Sequence, residues 1–481
     1  MTNSRLSALS ASLLALISLV VLGWWLSYDP SGEFSAFEPG LDNEPSHASF
    51  DAQEQVNIGE NWVRYDSSEV ASSSSWPRFR GNDFRNISPD PIELDADLGT
   101  SPKILWTQEL GEGHAGPAIH KGRVYLLDYD ESVKSDALRC FALSDGRELW
   151  QRSYAVKIKR NHGISRTTPA VTDDFVVSMG PRCHVMCVDA ISGDFLWGLD
   201  LERDYGVTTP LWYTGQCPLI DDAVAVIATG GSSLMMGVDC RTGEILWETP
   251  NPKNWKMSHS SIIPMTIQGK RQYVYCAIGG MLGVSAEADD RGTVLWETEL
   301  WNHKVMAPSP VYLEDDKIYV TAGYSAGGML LKVERNEGLF SIDSLQRVLP
   351  HQGLASEQQT PITRSGLIYG ILPKDAGALN GQFACFSADD ISQVVWSSGK
   401  NNRYGLGPYI LADNKFFILD DEGDLTVIEA SSQTYKQLVH VKILPGPDAW
   451  APLSIVDGKL LARDSKRIVC VDISGEEEKV L

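Results

Sequence analysis

The stretch Asp239-Cys-Arg-Thr-Gly-Glu-Ile-Leu-Trp247 has close copies elsewhere in the chain. They are Asp145-Gly-Arg-Glu-Leu-Trp150, Asp189-Ala-Ile-Ser-Gly-Asp-Phe-Leu-Trp197 and Arg291-Gly-Thr-Val-Leu-Trp296. In each copy the tryptophan follows a glycine by four residues, and successive tryptophans lie 47, 50 and 49 residues apart. Self-similarity at that period marks a stacked or circular array of small units. Between the motifs run short β-prone segments, such as Val124-Tyr-Leu-Leu127 and Leu138-Arg-Cys-Phe-Ala-Leu143, split by Gly, Asp and Ser. These read as strands and hairpins. About four of them per unit fits a propeller blade, with a solenoid as the competing arrangement.

A second marker counts the units. Pro117, Pro169, Pro218, Pro310, Pro361, Pro408 and Pro452 each open an apolar run, and Ser261 fills the remaining slot. Proline has no backbone donor and suits the start of a strand. The markers predict an all-β, eight-bladed propeller of four-stranded antiparallel blades over residues 76–475. The unit after Trp296 has lost its Trp, and the next falls at Trp396. The last unit ends at Gly475 without a Leu-Trp strand, while Lys103-Ile-Leu-Trp106 stands ahead of the first unit. Residues 101–110 are therefore predicted to supply the last strand of the last blade, which closes the ring and leaves few free edges. Trp106, Trp150, Trp197, Trp247, Trp296 and Trp396 are the expected structural positions of the repeat.

The pattern Asp-x-x-Ser/Thr-Gly-x-x-Leu-Trp at Asp189–Trp197 and Asp239–Trp247 resembles the repeat of PQQ-like β-propellers. Trp76-Pro-Arg-Phe-Arg-Gly81 resembles the segment that often opens such domains in envelope proteins. The family holds quinoprotein alcohol dehydrogenases and also the non-catalytic assembly lipoprotein BamB, which the chain resembles more. The dehydrogenase members hold pyrroloquinoline quinone (PQQ) with an adjacent-cysteine disulfide, a stacking Trp and calcium, and use an Asp base. No Cys-Cys pair occurs here, so no cofactor is expected, neither PQQ nor calcium, and no catalytic or metal residue is assigned. No cysteine follows the N-terminal apolar stretch, so lipid attachment of the BamB kind is not implied either. The eight cysteines include Cys140, Cys187, Cys385 and Cys470 at similar places in separate units, where buried small hydrophobe is the reading. Cys183 and Cys187 could bridge a hairpin.

The N-terminus reads as a separate element. Residues 1–5 form a short cytoplasmic leader, and residues 6–27 carry no charge over a length that can cross a bilayer. Arg5 before the stretch and Asp29 after it place the propeller outside the cytoplasm, on the periplasmic side of the inner membrane. The segment is an anchor or a cleaved signal, the latter leaving a soluble periplasmic protein. Residues 28–75 hold ten acidic groups against the single Arg64 and read as a disordered linker; residues 476–481 read as an acidic tail. A net charge of −22 argues against a nucleic-acid partner.

Residues just ahead of each repeat Pro should enter the innermost strand and line one mouth of the ring. They are His114, Arg166, Gln216, His259, Met306, Gln358, Arg403, Tyr404 and Trp450. Convergent polar and aromatic groups in a concavity suit a ligand site, and they also suit a wet channel. The expectation is a non-catalytic, membrane-tethered scaffold that presents this mouth to an envelope protein or polymer. A PQQ-dependent oxidoreductase is the alternative.

Overall fold

A computed structural model describes residues 3–27, 55–66, 68, 70, 72–159 and 163–475. It divides into two units, residues 1–50 and 51–481. In the first, Asn3–Ser27 is a helix whose described side chains, Leu13 and residues 15–27, are all exposed. Among the described residues no helix is long and apolar enough to cross a membrane. The expected span 6–27 includes side chains outside the description, and residues 28–54 and the tail 476–481 lie outside it altogether.

The second unit is a ring of sheets. Among the described residues there are eight, one per repeat, each built on four antiparallel strands, which are consecutive in the first seven. The first blade uses Ala118–His120, Arg123–Asp130, Ser135–Ala142 and Glu148–Ala155. The repeat prolines stand just before the first strands, and the first strands of blades one and two, two and three, five and six, and eight and one touch. The eighth blade holds only Ser454–Val456, Lys459–Arg463 and Arg467–Asp472 from its own repeat. Its fourth strand is Lys103–Glu109, antiparallel to Arg467–Asp472 with Trp106 opposite Cys470.

The Gly–Trp motif works between blades, not within them. A Cβ on Gly146 would come within 2.6 Å of the Trp106 ring; Gly193 stands the same way over Trp150, and Gly243 and Gly292 over Trp197 and Trp247. Each of these glycines has positive φ, from 72° to 88°, so the turn and the close approach both require a residue without a Cβ. Three of the motif indoles donate forward: Trp106 Nε1 to Leu143 O at 2.8 Å, Trp197 Nε1 to Cys240 O at 2.9 Å and Trp396 Nε1 to Ser431 O at 3.0 Å. Trp106, Trp150, Trp197 and Trp247 thus each cover the glycine turn of the next blade. At the closing seam Arg463, fully buried, donates to the carbonyls of Ala115, Leu127 and Gly111.

Near the axis a second set of links connects blades two to six. Thr168 N donates to Cys217 Sγ, Cys217 N to Ser261 Oγ, Ser261 N to Ser309 Oγ and Ser309 N to Thr360 Oγ1, at 2.9–3.2 Å. These residues precede the repeat prolines or, for Ser261, take the proline's slot. All eight cysteines are free and buried, so Cys183 and Cys187 do not bridge.

The linker prediction needs correction. Within the expected linker, residues 55–66 and 72–75 are described and have partners on the ring. Asn61–Arg64 adds an antiparallel strand to the outer edge of the first blade. Ile58 packs over Gly198, and Trp62 Nε1 donates to Ser192 O at 3.1 Å. Ser75–Trp76 pairs with the innermost strand of the first blade. From there the chain crosses one end of the axis. Pro77 O accepts from Val171 N in the second blade, and Arg78 reaches Ile220 O in the third. Phe84 packs on the apolar clusters of the third to fifth blades. Arg80, buried, donates to Thr360 O and Pro361 O ahead of the sixth. Ile87–Ser88 runs parallel to Tyr409–Ala412 in the seventh, and Asp90 accepts from Asp457 N in the eighth. This segment covers the end where first strands turn into second strands. The opposite end carries the residues predicted for the mouth.

Candidate functional site

Three of the predicted residues converge from different parts of the chain. The His114 and Trp450 rings stack at a centroid distance of 3.4 Å and an angle of 17°, and the Arg166 guanidinium lies 5.7 Å from the Trp450 ring. His114 enters on the loop that closes the ring, Arg166 on the loop between the first and second blades, and Trp450 on the loop between the seventh and eighth. Burial lowers the Arg166 guanidinium to about 10, which leaves it cationic at neutral pH. Burial, and then the Arg166 charge, push the His259 imidazole down to about 4, so it is neutral there. His259 Nε2 donates to Leu211 O at 2.5 Å. Gln216 is fully buried; its amide donates to Cys217 O at 2.5 Å and its Oε1 has no hydrogen-bond partner. Gln358 lines a narrow cleft of about 10 Å³, room for about one water, together with Glu357, Gln359, Pro373 and Leu406.

Three predicted residues fall elsewhere. Met306 is fully buried in the apolar core of the fourth and fifth blades. Arg403 is exposed and turned toward Asn380 and the Lys400 carbonyl on its own loop. Tyr404 is buried between the sixth and seventh blades, where its hydroxyl meets the Tyr435 hydroxyl at 2.9 Å. Counting back from a proline fixes position only while the loop runs straight into the strand. The 398–408 loop makes turns before it does.

Other residues at this end escaped the count. The connection between the second and third blades contains a short helix, Leu201–Tyr205, and then Trp212 and Tyr213. Both have left-handed backbone, at φ 63° and 73°, which is costly for bulky side chains. Trp212 stacks on Tyr324 at 5.9 Å and 25°, and lies 6.2 Å from the His259 ring. Tyr324 and Ser325, at φ 55° and 65°, form the turn after the second strand of the fifth blade. Asp375 accepts from Ser325 N at 2.9 Å, and the Lys374 ammonium sits 5.4 Å from the Tyr324 ring. Glu357 packs on Gly323; burial raises its carboxyl, opposed by Lys374. A Trp-Tyr pair inside a long inter-repeat insertion was the only signal in the sequence, and the repeat count passes over insertions.

The residues present do not fit a PQQ–calcium centre. His114 and Arg166 already lie against the Trp450 ring. The cysteines are separated in sequence and buried. Among the described residues, no group of three or more His, Cys, Asp and Glu is arranged to hold a metal ion.

Comparison with known proteins agrees with this architecture. A family model described as outer membrane protein assembly factor BamB matches residues 134–398. No curated protein sequence matches the chain. Among solved structures, BamB from Moraxella catarrhalis is similar at a TM-score of 0.50 and 11% identity, over 77% of this chain and all of that one. Quinohemoprotein alcohol dehydrogenase from Comamonas testosteroni is similar at 0.55 and 12% identity, over 84% of this chain and 81% of that one. A europium-containing methanol dehydrogenase is similar at 0.58 and 11%, over 83% and 90%. At such identities these structures share a fold with the chain and nothing further follows from them. The matched family model spans more than half of the sequence, and the chain belongs to the PQQ-like propeller family that this BamB description names.

Proposed function

We propose that the protein is a non-catalytic binding ring, whose uncovered end receives a protein or polymer partner of the cell envelope. One observation carries this reading: the two ends of the axis differ. One is crossed by residues 75–90, which bond to the blades all around. The other gathers Arg166, Trp450, Trp212, Tyr324 and Lys374 from separate loops. Strained backbone at Trp212, Tyr213 and Tyr324 fits a binding end, since such strain clusters where function requires it.

The same proposal includes the tether. The uncharged stretch 6–27 would hold the chain in the inner membrane, with the propeller on the periplasmic side. Resistance of the protein to alkaline extraction from membranes tests that part. For the ring, a photoreactive residue is placed at Lys374 or Gln358, and at Leu339 on the outer hairpin of the fifth blade. The reading expects partner crosslinks from the first two and none from the third; crosslinks from Leu339 alone refute it.

A further inference from the structure

Each blade ends on an outer strand, and an unpaired strand edge is a template for a further strand. The molecule fills one such edge itself: Asn61–Arg64 pairs antiparallel with Glu148–Ala155 of the first blade. Several other outer strands are guarded. Val394–Ser397 has four residues, Ile245–Pro250 ends in proline behind Glu248, and Val294–Thr298 holds Glu297. Shortness, proline and charge are the common defences of a free edge. Leu339–Val348 of the fifth blade has little of them. It runs ten residues without proline, and Asp343 is the one charged side chain between Leu339 and Gln346.

The backbone of this edge sets what can pair with it. Glu337 and Gly338, at φ 52° and 89°, make a two-residue turn between Asn336 and Leu339. The pair that flanks such a turn is hydrogen-bonded, and bonded pairs alternate along the hairpin. Ser341 and Asp343, opposite Glu334 and Lys332, therefore bond inward. The N–H and C=O groups of Phe340, Ile342 and Ser344 face outward, on the last strand of the sheet. Beyond Ser344 the register shifts, with Leu345 the extra residue, and the regular edge ends. Residues 334–339 are all exposed, so this arm stands clear of the blades beside it.

An antiparallel copy of the same edge fits it in one register. With Ile342 on a two-fold axis, Phe340 meets Ser344 of the second copy and Ser341 meets Asp343. The three outward residues of each chain then bond one another. Ile342 lies against its own counterpart, and the Ser341 hydroxyl donates to the carboxylate opposite. Centring the axis on Asp343 would set two carboxylates face to face, which is destabilising. Centring it on Ser341 would put Leu339 opposite Asp343 and leave Ser344 facing the turn. A foreign strand would have to supply the favoured match, whereas the chain carries it already. We infer that the protein pairs with a second copy of itself through the outer strand of the fifth blade, joining the two fifth blades into one continuous sheet. This contact is separate from the open end and goes beyond the proposed function. A five-residue edge makes an interface at the small end of specific contacts, so the dimer is weak, with a dissociation constant of about 10 µM.

The test follows the full chain in detergent by sedimentation across that concentration range, where monomer should give way to dimer. Ile342→Pro deletes an outward N–H and none of the inward bonds of the blade. Ile342→Lys sets two ammonium groups opposite each other. Each should weaken the dimer by about tenfold or more and leave the melting temperature unaltered; should Ile342→Pro unfold, Ile342→Lys still decides. All eight native cysteines are buried, so an added one reports alone. Across a bonded pair the Cα atoms lie about 5.5 Å apart, which suits a disulfide. Diamide should therefore link two copies of Ile342→Cys and not two copies of Ser341→Cys. A photoreactive residue at Leu339 should give an adduct of the chain with itself, at twice its mass and distinct from partner crosslinks at the open end. A chain that stays monomeric throughout overturns the inference, as does a dimer indifferent to Ile342→Lys. Linkage through Ser341→Cys in place of Ile342→Cys, or a Leu339 adduct with a different protein, overturns it too.

Discussion

The seam between the eighth and first blades and the hairpin of the fifth blade are opposite solutions to the same problem. At the seam, Trp106 covers Gly146 and bonds Leu143 O, and Arg463 joins three carbonyls across the gap. The fifth blade has no motif Trp; its third and fourth strands, Gly327–Asn336 and Leu339–Val348, instead lengthen to ten residues each. That hairpin leaves Leu339 78% exposed, and a Cβ at Gly338 would meet nothing within 4 Å. Where a Trp and a glycine from different blades interlock the blades are in close contact; where they do not, the outer strands run on into solvent.

Deleting residues 101–110 should break the contrast most severely. It removes the whole fourth strand of the eighth blade and bares the edge of Arg467–Asp472. A loss of cooperative melting, or a drop of more than about 10 °C, is expected by calorimetry. Trp106→Ala keeps the strand and removes the lock, with an expected cost of about 4 kcal/mol in denaturant unfolding. Gly146→Val should cost about 3 kcal/mol, because φ is 72° and the new Cβ would strike the Trp106 ring. Gly338→Ala, at φ 89° but in open space, should cost about 1 kcal/mol from backbone strain alone. Equal costs at the two glycines would show that the indole contact contributes little.

A further effect depends on pH and sharpens the picture of the first blade. Asp136 is fully buried, and burial raises its carboxyl from 3.8 to about 7 despite the Tyr154 hydroxyl bond. The folded state therefore favours the protonated form. Its contribution is complete below the unfolded value near 4 and declines as pH rises through 7. Nearby His184 is shifted the other way, to about 4, chiefly by burial, so its contribution is present above 6.5 and lost as pH falls through 4. Asp136→Asn should thus change little at pH 5 and stabilise at pH 8 by up to about 2 kcal/mol. A melting-temperature difference that is the same at both pH values would contradict the buried-carboxyl account.

What could be read from the sequence follows from what repeats. Gly146, Gly193, Gly243 and Gly292 declare themselves because one steric demand recurs at four blade junctions. The missing final strand was legible for the same reason, as a gap in a periodic pattern that Lys103-Ile-Leu-Trp106 could fill. Trp76-Pro-Arg-Phe-Arg-Gly81 was visible as a motif, yet its course across the axis was not, since each of its residues has a different partner. The strap at Asn61–Arg64 was hidden by acidic neighbours that resemble solvated tether. At the open end, His114, Arg166 and Trp450 come together because their loops enter the strands directly. Trp212 and Tyr324 were missed because they sit in an insertion and in a different kind of turn. Met306, Arg403 and Tyr404 were misplaced by an offset that holds only for short loops.

The pairing of Lys103–Glu109 with Arg467–Asp472 also sets a clock on biogenesis. The first partner leaves the ribosome more than three hundred residues before the second. At about 5–20 residues per second it waits for tens of seconds with both of its edges bare. During translation, seven finished sheets must persist as an open arc until the last few dozen residues arrive, so a chain halted late in synthesis exposes the edges that ring closure would have hidden.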